Sequence, residues 1–168
     1  MRRRLLCGLL LAASLPVLSS CSSMTEFVIV NDSGSAVEVR YTFKGHPDRE
    51  TCCPEKPAKK PLDKLDDDEA RWRTLGADEF SYDPATGSVT LTLAPAEALR
   101  VDQQLNWGGH GGEREDEFFH IASVRIAGAG GVVSYEGMQA QYQFQHEDDN
   151  LYRLTYYGWG DKRGARGK

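Results

Sequence analysis

Past its first twenty residues the chain holds no apolar run that approaches the ~20 residues a helix needs to cross a bilayer. It has no internal repeat and no heptad pattern, which sets aside solenoids and coiled coils. No Gly-x-Ser-x-Gly elbow, His-Glu-x-x-His helix or phosphate-cradling glycine loop is present, so no catalytic constellation stands at a recognised spacing. Cysteine is scarce: Cys7, Cys21, Cys52 and Cys53, with no Cys-x-x-Cys among them. Basic charge is short as well, with 20 Lys and Arg against 25 Asp and Glu. A domain this acidic is a poor partner for nucleic acid or for an anionic lipid surface.

What is present begins with a leader. Arg2, Arg3 and Arg4 give a positive start, and Leu5 to Leu18 follows without a charge. Fourteen residues are too few to span a membrane, and a basic start, a short apolar middle and a small-residue end describe a secretory signal. The end is Leu18-Ser19-Ser20-Cys21: an aliphatic residue, two small residues, then cysteine. This resembles the lipobox of bacterial lipoproteins, a likeness confined to residues 1–21. It implies that the Cys21 thiol carries diacylglycerol and that cleavage leaves Cys21 as the first mature residue. Ser22, where Asp favours inner-membrane retention in that class, implies an outer-membrane address facing the periplasm. One acyl chain holds a protein to a membrane marginally and two or more hold it stably, at ~0.8 kcal/mol per buried methylene. The membrane is therefore the first expected partner, through the lipid on Cys21. An envelope protein or polymer is the second.

The organisation that follows is residues 1–20 as signal, 21–25 as lipidated tether, 26–159 as one folded domain and 160–168 as a disordered basic tail. Loss of Arg2, Arg3 and Arg4 leaves 17 basic against 25 acidic side chains, a balance of −8.

Periodicity within the domain is that of strands. Val37, Val39, Tyr41 and Phe43 alternate with Glu38, Arg40 and Thr42. Phe27 to Val30 precedes them across Asn31-Asp32-Ser33-Gly34, which predicts a hairpin. A second hairpin is expected where Phe80 and Tyr82 enter Asp83-Pro84-Ala85-Thr86-Gly87 and Val89, Leu91 and Leu93 return. Leu99, Val101, Leu105 and Trp107 keep period two, with Gln103 breaking the apolar face. Phe119 to Ile126 predicts a strand with a bulge near Ser123, paired with Val132 to Tyr135 across Gly128 to Gly131. Met138, Ala140, Tyr142 and Phe144, separated by glutamines, predict a third hairpin with Tyr152, Leu154 and Tyr156. The fold class is all-β: an antiparallel β-sandwich or small barrel of about eight strands.

Residues 45–77 interrupt the pattern with Pro47, Pro54, Pro57 and Pro61, and predict a long loop or short-helix insertion. A short helix over Lys64 to Leu75, docked through Trp72, is favoured there over an edge strand through Trp72 and Thr74.

The candidate functional residues are few. Cys52 and Cys53 are the thiols left once Cys7 departs and Cys21 takes its lipid. A bond between them would be strained, since adjacent Cα atoms lie ~3.8 Å apart and disulfides prefer ~4.4–6.8 Å. They are either a redox, metal or cross-linking pair or two loop thiols without a role. Zinc needs three or four converging ligands. Of the four histidines, His110 and His120 are the metal-ligand candidates, and no spacing brings them together. Partner contact is expected at Trp107 and His110 in a glycine-rich loop and at Tyr157 and Trp159 near the C-terminus. The expectation is a membrane-anchored envelope lipoprotein with a non-catalytic binding or structural module and no cofactor. Its alternative is a periplasmic enzyme or a metal- or redox-handling protein that uses the histidines and the Cys52-Cys53 pair.

Overall fold

The computed structural model describes residues 24–45, 56–105, 119–148 and 150–158. Eleven strands among them build two sheets packed face to face. Residues 45–77 yield two short strands beyond the expected set, which raises the count above eight.

One sheet has six strands. Its chain-order members are β1 (Met24–Asn31), β3 (Ala58–Pro61), β4 (Arg73–Thr74), β7 (Glu97–Leu105), β10 (Gln145–Asp148) and β11 (Leu151–Tyr156). They lie in the order β10-β11-β1-β7-β3-β4. The other sheet has five: β2 (Val37–Phe43), β5 (Phe80–Asp83), β6 (Ser88–Leu93), β8 (Ile121–Gly128) and β9 (Gly131–Glu136), in the order β5-β6-β2-β8-β9. Every pairing is antiparallel except that of β1 with β11, which is parallel. Alternating side chains from both inner faces fill one core. Phe27, Ile29, Leu99 and Leu154 come from the six-stranded sheet, and Val39, Tyr41, Leu91, Val124 and Ile126 from the five-stranded one. Phe27 sits among aromatic rings, 5.1 Å from Phe119, 5.8 Å from Phe144 and 5.1 Å from Tyr152 between centroids.

Two of the expected pairings form as the sequence implies. Phe80–Asp83 and Ser88–Leu93 make a hairpin around Pro84 to Gly87. Ile121–Gly128 and Gly131–Glu136 make another, with Gly131 at φ 117°. The register of β8 against β2 slips at Ala122, one residue from Ser123, where the bulge was expected.

Three expectations are corrected. The first hairpin does not form, because β1 and β2 belong to different sheets. Buried Asn31 makes the crossing. Its Nδ2 donates to the carbonyls of Ser35 at 2.9 Å and Leu93 at 3.0 Å, and its Oδ1 accepts from the Ser33 N–H and hydroxyl. The same residue types serve a hairpin and an arch, so their presence announces a turn without saying which sheet receives the chain.

The third hairpin forms with β10 as its first strand, antiparallel to β11, in place of residues 138–144. Met138–Gln143 is a helix, α1, entered from Gly137 at φ 55°. Ala140 and Phe144, four apart, are buried, while Tyr142 is 67% exposed. Alternate apolar residues looked like strand period, but Met, Gln and Ala are good helix formers, and the burial follows spacing four.

The insertion is the third. Residues 64–75 form no α-helix. A 3-10 turn at Leu62–Lys64 gives way to bends and to β4, the edge strand. Buried Lys60 organises this path by donating to the carbonyls of Leu65 at 3.5 Å and Asp67 at 3.0 Å, with its ammonium 5.5 Å from the Trp72 ring. Trp72 Nε1 donates to Glu26 on β1 at 2.9 Å, and Glu26 also pairs with Arg100 on β7 at 2.8 Å. The insertion thus lies over the outer face of the six-stranded sheet. There Leu62, Leu65 and Trp72 cover Val28, Val30 and Ala98 in a second apolar cluster. That cover explains why β1 is apolar on both faces, a pattern antiparallel strands normally show only when something shields the second face.

Candidate functional site

Two places carry polar groups that the core does not require. The first is the end of the sandwich where β7 meets β1. Phe27 stands opposite Asp102 and Val28 opposite Arg100, so Val101 is an extra residue, a bulge. The bulge reverses which side chains face inward. Before it Leu99 enters the core; after it Asp102 and Gln104 are buried at 3% and 8% exposure. The even alternation through Leu105 and Trp107 expected from the sequence therefore fails at Val101.

Buried Asp102 is well supplied with donors. Its Oδ1 accepts from the Gln103 N–H at 2.9 Å and faces His120 Nδ1 at 3.2 Å; its Oδ2 accepts from Gln104 Nε2 at 2.7 Å. With a carboxylate as partner, Nδ1 carries the proton, and Nε2 is the nitrogen left to other partners. The His120 side chain remains 52% exposed. The hydrogen bond to Asp102 raises the His120 pKa above the ordinary histidine value, against the opposing effects of burial and of Lys44. Across the core, burial foremost and then the Asp102 charge push the Tyr41 hydroxyl far above the usual tyrosine range. A half-exposed imidazole held by a buried carboxylate can take up a proton and give it back.

This pair sets a pH dependence with a definite sign. The folded pKa of His120 lies above its unfolded value, so its stabilising contribution is complete below about pH 6.5 and fades as pH rises through the folded pKa. Urea denaturation across this range should show wild type most superior to His120→Gln on the acid side, the gap narrowing towards alkaline pH. A gap that widens with pH would show that Asp102 does not hold the imidazolium.

The second place is the outer face of the five-stranded sheet. Strand register sets its polar side chains in rows. Arg40 on β2 lies directly opposite Arg125 on β8, with Thr90 and Ser134 continuing the row to either side. The next row runs Ser88, Thr42, Ser123, Glu136. An open groove of about 240 Å³ lies along these rows, lined by Arg40, Thr42, Ser123, Arg125, Ser134 and Glu136, with Val124 and Tyr135 between them. Arg40 Nη2 donates to the Ser88 hydroxyl at 3.2 Å, and Arg125 pairs with Glu38 at 3.2 Å.

Of the residues singled out by sequence, Cys21, Cys52, Cys53, Trp107, His110 and Trp159 lie outside the described residues. His120 is found beside Asp102, and among the described residues no group of three or more His, Cys, Asp or Glu side chains converges on a metal-sized site. Tyr157 follows β11 and is 36% exposed. Sequence reasoning did not single out Arg40, Arg125 or Asp102. The two arginines stand on alternating polar positions, but the fact that they face each other needs the register. No family model matches the sequence, and comparison with curated proteins and with solved structures returns no match.

Proposed function

We propose that this chain is a lipid-anchored envelope lipoprotein, held by Cys21 in the outer membrane and facing the periplasm, whose β-sandwich is a binding module without catalytic activity. The anchor reading rests on Leu18-Ser19-Ser20-Cys21 at the end of a basic, then apolar leader. The binding reading rests on one asymmetry. The insertion covers the outer face of the six-stranded sheet, whereas the outer face of the five-stranded sheet carries an open polar groove. A face whose polar side chains contribute little to the core is where a partner can be met at small cost to the fold.

Acid–base chemistry is the second reading, and the Asp102–His120 pair favours it. That pair supplies a proton acceptor, the least specific part of a hydrolytic site.

The anchor is tested by growing cells with a clickable fatty acid. Wild type should take up the label and lose its leader. Cys21→Ala should do neither, and should migrate as the larger, unprocessed chain. An unlabelled wild type with a free Cys21 thiol would overturn the lipoprotein reading.

A further inference from the structure

We propose that the groove on the outer face of the five-stranded sheet binds an oxyanion, carboxylate or phosphate, carried on a hydroxyl-rich sugar-like ligand. This deepens the reading of the sandwich as a binding module and rests on it.

The argument starts from charge placement. Arg40 and Arg125 are register partners on adjacent strands, and like charges directly opposite each other in a sheet destabilise it. Arg125 is offset by Glu38, which stands one row away from the groove. Arg40 has no carboxylate within 4 Å among the described residues, although Asp83 feels its charge, and its hydrogen bond is to the neutral Ser88 hydroxyl. Each guanidinium has five N–H donors in a planar fork, and one hydrogen bond leaves most of them available. Both arginines line the groove, so a two-oxygen anion lying in it can accept from each and offset their charge.

The rest of the lining describes what the anion is attached to. Thr42, Ser123 and Ser134 offer hydroxyls that donate or accept, and Glu136 at the end of the row accepts only. That is a surface for hydroxyls. A carboxylate at one end also disfavours a densely charged ligand, so one anionic group on a neutral scaffold fits better than a polyphosphate. At ~30 Å³ per water, the groove has room for about eight waters, the scale of one substituted sugar ring. The chain as a whole has five more acidic than basic side chains, so this arginine pair is a local exception to the charge of the protein.

The test uses the full chain in detergent and isothermal titration with galacturonate, glucose 6-phosphate and galactose. At least one acidic sugar should bind saturably, and galactose about tenfold more weakly or not at all. The ratio of the first two titrations assigns the anion as carboxylate or phosphate. Arg40→Gln and Arg125→Gln should each weaken the acidic sugar on the order of tenfold with unchanged circular dichroism. Glu38→Gln should tighten it by releasing Arg125, an effect that a purely structural role for these charges does not produce. Galactose binding as well as the acids, no saturation by either acid below about 10 mM, or wild-type affinity in both arginine variants would each overturn the proposal. Fatty-acid labelling is independent of the titration. A failed titration with labelled Cys21 removes this ligand and leaves the anchor, and the reverse result removes the anchor and leaves the ligand.

Discussion

Phe27→Ala is expected to lower unfolding stability by about 3–5 kcal/mol, the usual cost of emptying a buried aromatic site. Phe27 is fully buried at the centre of β1, the strand between β11 and β7. Its ring meets Tyr152 in a stacked arrangement and Phe119 and Phe144 edge-on, so one truncation removes three aromatic contacts together with the buried area. Phe144 follows α1, and Phe119 precedes β8; the cavity would loosen both from the six-stranded sheet. Urea denaturation reads the change. Tyr142→Ala, on the exposed face of α1, is the control and should stay within about 0.5 kcal/mol of wild type. A Phe27 variant as stable as that control would mean that Phe27 does not anchor the core.

Trp72→Ala should act differently, on a part of the molecule before the whole. Trp72 receives the Lys60 ammonium at 5.5 Å and the Arg100 guanidinium at 5.3 Å on its ring, and bonds Glu26 through Nε1. Its removal costs about 3 kcal/mol by the same large-to-small rule. It also opens the cluster over Val28, Val30 and Ala98. Among the described residues, strand pairing ties the insertion to the sheet through four residue pairs of β3 with β7, and β4 adds two pairs with β3. Local opening therefore precedes global unfolding. Limited proteolysis should cut the variant between residues 62 and 72 at protease levels that spare wild type, while Phe27→Ala at matched global stability should not show this preference. Equal resistance of the Trp72 variant and wild type would place the insertion's hold elsewhere, in the β3 ladder.

Strands with one wet face were legible in the sequence, because Val37 to Phe43 and Ser88 to Leu93 each bury alternate side chains against a single core. The hairpins around Pro84 to Gly87 and Gly128 to Gly131 were legible for the same reason. What failed were the features decided by distant partners. Nothing local distinguishes the Asn31 arch from a hairpin; the deciding bond reaches Leu93, 62 residues away. The glutamine-rich segment offered period two and period four at once, and Phe144 beneath Phe27 settled it. Residues 64–72 had charges suited to a helix, yet buried Lys60 claimed two of their carbonyls. The bulge at Val101 hid Asp102, and so half of the His120 pair was invisible. Arg40 and Arg125 were each readable as outward-facing, but they lie 85 positions apart in the chain, and only strand register places one opposite the other.

The place of β1 has a mechanical meaning. On the proposed anchor at Cys21, two residues of sequence, Ser22 and Ser23, would separate the lipid from Met24, the first residue of β1. On that anchor, a pull on the sandwich away from the bilayer would enter along β1. That strand is bonded on one side to β7 over eight register pairs and on the other to β11 over six. Force applied along it is spread in shear across both ladders at once, instead of peeling an edge strand one bond at a time. A domain tethered at Cys21 as proposed would deliver the tension of a bound partner to β1, the strand with the longest ladders on both sides.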